Sequence, residues 1–177
     1  MMDWKNFEVE VSSIVKQAIK DLHDARPSEH FYTFALYTDT SAMTVAMAAN
    51  SLEALELKLQ DEDEEDRDES RSYYQWATSE WEYEAWRGDL FKGISKELRE
   101  ASGRDEIAAF RENLYLSMTN VLKELGKERF FDPFVVQNPT LFVTVTDDDT
   151  AEVVENNSAK VLSTPAAYAE FVNRYEK

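Results

Sequence analysis

The 177 residues contain no cysteine, which excludes disulfides, thiolate nucleophiles and cysteine-based zinc sites. Glycine is scarce. Gly88, Gly93, Gly103 and Gly126 form neither a Walker loop nor a GxGxxG turn, so the usual backbone cradle for phosphate is missing. No GxSxG nucleophile elbow occurs either. No apolar run approaches the roughly 20 residues of a membrane span. The start MMDWKNFEVEV lacks the basic and apolar regions of a secretory signal. A soluble, cytoplasmic protein is expected from both. Basic charge is the last deficit: 36 Asp and Glu face 19 Lys and Arg, a formal charge of −17. Nucleic acid and anionic membrane need a basic face to neutralise phosphate and are therefore poor partners. A basic protein is the electrostatic complement, although acidity also serves solubility alone.

What is present suffices for one core. Hydrophobic residues make up 43% and aromatics 12%, and a chain of this length reads as a single domain over residues 1–177. Trp4, Phe7, Val11, Ile14, Val15, Ala18, Ile19 and Leu22 recur at 3-and-4 spacing, predicting an amphipathic helix that ends near Arg26-Pro27. HFYTFALYTD predicts a strand over 30–38, apolar on both sides and so central. Simple alternation puts Phe31, Thr33, Ala35 and Tyr37 on one side and Tyr32, Phe34 and Leu36 on the other. The turn DTSA and the strand MTVAMA complete a hairpin. Asn50 or Ser51 can cap a helix bearing Leu52, Leu55 and Leu59. Further helices are predicted around Leu90, Ile94 and Leu98 and from Asp105 to Leu125, the latter closed by a left-handed Gly126. LFVTVT is a strand, EVVEN and KVL are weaker strand candidates, and Thr164-Pro165 opens a last helix. The expected fold class is α+β: a small, mostly antiparallel sheet packed by several amphipathic helices.

The segment LQDEDEEDRDESRSYYQWATSEWEYEAW (59–86) stands apart. Asp61 to Glu69 holds eight carboxylates against Arg67 alone. With no apolar anchor from Gln60 to Ser72, a mobile acidic loop or frayed helix end is expected over 60–72. In the part that follows, Trp81, Tyr83 and Ala85 alternate with Glu80, Glu82 and Glu84, which predicts an extended segment with one wet face.

Candidate chemistry is thin. His23 and His30 match no zinc spacing, and His23 suits the last turn of the first helix. Asp147, Asp148 and Asp149 lack the register of a calcium loop and read as a turn. No cofactor or metal is indicated. Glu80, Glu82 and Glu84 form a solvent face, or else a general acid–base pair if tryptophan burial were to push their pKa values apart. Most of the aromatics read as core, yet Trp and Tyr also dominate binding hot spots.

At FYTFALYTD, YYQWATSEWEYE and LFVTVTDDD the chain resembles a family of small bacterial proteins, domain of unknown function 4303, over roughly residues 3–175. These motifs are aromatic and structural rather than catalytic, so no catalytic residues come with the resemblance. The run Asp61–Glu69 reads as an insertion outside the shared pattern. Members occur near polymorphic toxin genes, and the resemblance therefore implies an immunity role.

The resulting expectation is a non-catalytic, monomeric protein-binding module that neutralises a basic toxin domain. Glu62, Asp63, Glu64, Glu65 and Asp66 would steer encounter, with Glu80, Glu82 and Trp81 or Trp86 nearer the contact. The alternatives are a carboxylate-dependent hydrolase or other enzyme with a cleft near residues 80–84, and a structural or adaptor domain.

Overall fold

The spacing of Phe7, Val11, Val15, Ala18, Ile19 and Leu22 produces α1 (Trp4–Ala25), and all six side chains are buried along one stripe. Asp3 caps it by accepting from the Asn6 amide at 3.0 Å. The helix stops ahead of Pro27, as the residue before a proline requires. The chain is represented by a computed structural model that describes residues 2–175, the side chain of Val136 excepted.

β1 (Phe31–Asp39) and β2 (Ala46–Ser51) form the expected antiparallel hairpin, with β2 starting at Ala46 rather than Met43. β1 is central and buried on both faces. Its other neighbour, β3 (Val135–Thr146), runs parallel to it. The sheet is therefore mixed, which corrects the expectation of a mostly antiparallel one. An apolar run carries no direction; the long helical connection between β2 and β3 sets it.

Both pairings of β1 shift register between Phe31 and Thr33. On β3 the partner jumps from Val135 to Thr140, so the backbone of residues 136–139 bulges opposite Tyr32. The bulge overturns simple alternation. Phe31 joins Phe34 and Leu36 on one face, and Tyr32 joins Ala35 and Tyr37 on the other.

The first face packs against α1, α4 (Gly88–Glu100) and α5 (Ile107–Lys127), through Val15, Ile94, Leu98, Leu114 and Met118. The second is covered by α2 (Leu52–Gln60), α3 (Arg67–Trp76) and α7 (Pro165–Val172), which contribute Leu55, Leu59, Trp76 and Phe171. Ser51 caps α2 by accepting from Ala54 N at 3.1 Å, and Thr164-Pro165 opens α7 as expected. Leu52 departs from the expected stripe, being 41% exposed.

Both sheet edges are covered, that of β3 by serine side chains and that of β2 mainly by the main chain of residues 83–86, which protects them from edge-to-edge pairing. Ser158, on α6 (Ala151–Leu162), takes a hydrogen bond from Val143 N at 2.8 Å, and Ser163 does the same for Leu141 N at 3.0 Å. On the β2 side, Ser95 accepts from Val45 N at 3.1 Å, while Ala49 N and Trp86 N donate to Tyr83 O and Met47 O.

Three local expectations need correction. EVVEN and KVL lie in α6, because its buried residues are Ser158 and Ala159, flanked by the partly buried Val154 and Leu162, and the small polar centre interrupts the apolar signal. Gly126 does not close α5, which continues to Lys127; the left-handed residue is Arg129, at φ 57°. Helix α3 begins at Arg67, so the second half of the segment expected as a loop is helical and only Asp61–Asp66 forms turns. Trp76, at the end of α3, supplies the buried anchor that the acidic half lacks.

Candidate functional site

Two polar clusters meet the Thr78–Trp86 segment. The first joins the end of α1 to the start of α2. Tyr83 donates its hydroxyl to Glu29 at 2.6 and 2.7 Å and accepts from Arg26 Nε at 3.2 Å. Ser51 also donates to Glu29, and the His30 ring and amide both engage Glu53. Burial, then the Glu29 bond, pushes the Tyr83 phenol up to about 12. Burial opposes ionisation of Glu53, but the His30 hydrogen bonds outweigh it and hold the carboxyl below its ordinary range. For nucleophilic chemistry the arrangement is wrong: Ser51 is fully buried, serves as a helix cap, and bonds a carboxylate instead of the imidazole. This cluster ties elements together.

The second lies on the surface formed by α2, the Asp61–Asp66 turns, α3 and the Thr78–Trp86 segment. Helix α3 packs beside α2, joined by the bidentate pair of Arg71 with Glu56 at 2.6 and 3.1 Å. That pair holds Glu56 below the usual carboxylate range. Tyr74 donates to Glu62, and this bond raises the Tyr74 phenol to about 12. Lys58 reaches Glu80 at 2.6 Å through the carboxylate and 2.9 Å through the carbonyl, and lies 4.9 Å from the Tyr74 ring. The Lys58 bond keeps Glu80 ionised below its ordinary pKa.

The run's own arginine does not neutralise it. Arg67 turns back onto the carbonyls of Glu62 and Gln60. Among the described residues no ion pair or side-chain hydrogen bond engages Asp63, Glu64, Glu65 or Asp66, all of them exposed. The charge of this turn is thus directed at solvent.

Between α2 and the Ser79–Glu82 segment lies a cavity of about 360 Å³. Asp61, Glu80, Glu82 and Lys58 line it, with Asn50 and Leu55 among the remaining wall residues.

Of the residues expected at a contact, Glu80 and Glu82 do share this site, and Glu62 adjoins it through Tyr74. Trp81 is only 3% exposed; it packs edge-on against Phe142 at 5.7 Å and is a wall of the cavity. A protruding anchor it is not, because its indole completes the core beneath α2. Trp86 faces elsewhere, donating from Nε1 to Ala18 O of α1 at 2.9 Å. Glu84 does not line the cavity and instead accepts from Tyr37. The alternation at 81–84 holds, but only one bridge, Ala49 with Tyr83, pairs the segment, and left-handed Ala85 ends it. Sequence reasoning missed Asn50 as a wall residue, together with Lys58 and Leu57. The i, i+4 pairs Ala54/Lys58 and Leu57/Asp61 were a readable signal for one face of α2; Asn50 had none.

Among the described residues, no group of three or more His, Asp or Glu could hold a metal ion, and no helix is long and apolar enough to cross a membrane.

Fold and surface together define a single α+β domain with an exposed acidic turn at Asp63–Asp66. The chain belongs to the family described as Domain of unknown function (DUF4303), whose model matches residues 11–164. Neither the curated proteins nor the solved structures contain a match to it.

Proposed function

We propose that this protein is a non-catalytic protein-binding module whose partner is basic, and that it acts as an immunity protein neutralising a bacterial toxin domain. One observation carries the reading: exposed carboxylates without internal cations at Asp63–Asp66, continuous with the Asp61, Glu80 and Glu82 cavity. Such a face accelerates encounter with a basic surface and rejects acidic ones. The toxin assignment draws on the family resemblance.

The hydrolase reading has weaker support. A general acid needs a raised pKa, whereas Lys58 lowers that of Glu80, and Glu84 lies outside the cavity. An adaptor would present a contiguous apolar patch. The exposed apolar side chains are instead distributed among several helices: Val9 on α1, Leu52 and Leu57 on α2, Ile107 and Leu116 on α5, Val153 and Val161 on α6.

The test is capture of partners from lysate of the source organism at low salt, then association kinetics with any basic protein retained. Replacing Glu62, Asp63, Glu64, Glu65 and Asp66 by Gln or Asn should slow association and flatten its salt dependence. Co-expression should relieve whatever toxicity that protein has. If no basic protein is retained at low salt, or if the five replacements leave the association rate unchanged, the reading fails.

A further inference from the structure

We infer that the cavity between α2 and the Ser79–Glu82 segment is a socket for one cationic side chain, the ammonium of a lysine or the guanidinium of an arginine, presented by the partner. The inference rests on the protein-binding reading above and names the chemistry of its central contact.

The buried acceptor comes first. Asn50 lines the cavity and is 2% exposed. Its Nδ2 donates to the Tyr32 hydroxyl at 3.0 Å, and that hydroxyl donates onward to Gln75 O at 2.9 Å. Asn50 Oδ1 has no hydrogen-bond partner. An unpaired buried acceptor weakens a fold, and native proteins keep few of them. The oxygen is closed off by its neighbours as the cavity stands, so a donor at the cavity floor would complete the amide by parting the side chains over it.

Charge then selects the donor. Asp61, Glu80 and Glu82 contribute three negative charges to the lining and Lys58 one positive, leaving −2. An anion is repelled, and a cation is favoured over a neutral donor. Lys58 already shows how these walls hold an ammonium, between the Glu80 carboxylate and carbonyl and over the Tyr74 ring. Shape fits a side chain better than a bare ion. Leu55, Leu57 and Trp81 supply an apolar wall for an aliphatic stem, as long cationic side chains use when they bury the stem and solvate the head.

The probes are three blocked tripeptides, glycine–X–glycine, with X as lysine, arginine or norleucine, titrated into the ¹⁵N-labelled full chain. Saturable shifts are expected at the Asn50 side-chain amide and the Trp81 indole with a cationic peptide, and none with norleucine. Glu82→Gln, an exposed position where folding is safe, should weaken binding roughly threefold, the size of one exposed ion pair. Absence of saturable change at both reporters overturns the socket, as does an equal response to norleucine or an unchanged affinity in Glu82→Gln. The two readings fail separately. A basic protein that still binds the Glu82→Gln variant as tightly as wild type leaves the partner reading standing and removes the socket. Peptide binding without any retained basic protein does the reverse.

Discussion

Trp81 decides whether the aromatic part of the 59–86 segment belongs to the core or to a contact surface. In the structure it is 3% exposed, edge-on to Phe142 at 5.7 Å, with its indole N–H on Gln75 O at 3.1 Å. That carbonyl also accepts from Tyr32 at 2.9 Å, so truncating Trp81 leaves it partnered. The cost of Trp81→Ala is then lost packing plus the cavity left behind, about 3–5 kcal/mol for a large buried aromatic. For a chain of this length each kcal/mol moves Tm by roughly 2–4 °C, giving a fall of roughly 6–20 °C. Trp81→Phe keeps most of the ring and loses one hydrogen bond, at roughly 1–2 kcal/mol. Glu82→Gln, one residue along on the wet face, should stay within about 0.5 kcal/mol of wild type. Urea unfolding followed by far-UV circular dichroism reads all three, with an unchanged slope confirming that the same surface is exposed on unfolding. A Trp81→Ala protein as stable as Glu82→Gln would refute the core placement and restore Trp81 as a surface anchor.

Two further predictions concern buried polar groups. Tyr83 is raised to about 12 from an ordinary value of 10.0, and burial raises Tyr32 and Tyr37 as well. The folded state holds these protons more tightly than the unfolded one. The Tyr83 contribution is therefore complete below pH 10.0 and lost as pH rises through about 12, while those of Tyr32 and Tyr37 persist to higher pH. Phenolate absorbance at 295 nm and loss of helical dichroism should rise together in that interval; complete tyrosine ionisation near 10 with the dichroism intact would contradict the burial. Arg174, with its side chain 1% exposed, pairs with Glu155 at 2.7 Å and lies 4.0 Å from the Phe171 ring. Arg174→Met strands the half-buried Glu155 and should cost about 3–5 kcal/mol, with part of it recovered by adding Glu155→Gln. A single variant within about 1 kcal/mol of wild type in the same urea assay would show that the pair contributes little.

Periodicity was a good guide wherever one helix face meets the core. The stripes of α1 and α5 are legible because a 3.6-residue repeat determines which side chains line up, independent of what they meet. The caps Ser51 and Thr164 are equally local, since each bonds its own helix. Where the partner lies far along the chain, the reading failed. β3 pairs parallel to β1 across more than a hundred residues, and the shared register shift that exchanges Phe31 and Tyr32 between faces exists only once the strands meet. Helix α6 went unread because its central contact residue, Ser158, bonds a strand edge that no local pattern reveals.

The candidate site divides in the same way. The amino-acid sequence alone determined the acidic excess, the missing cysteine and glycine motifs, and the alternation that buries Trp81 and Tyr83 while wetting Glu82. Only the tertiary structure decided that Arg67 turns away from the carboxylates and that Trp86 points to α1. It also brought Asp61, Glu80 and Glu82 around one cavity that Asn50, whose amide oxygen is unpaired, helps to line. Charge and periodicity are sums over neighbours in the chain, whereas a cavity is set by elements distant in sequence and joined by the same core.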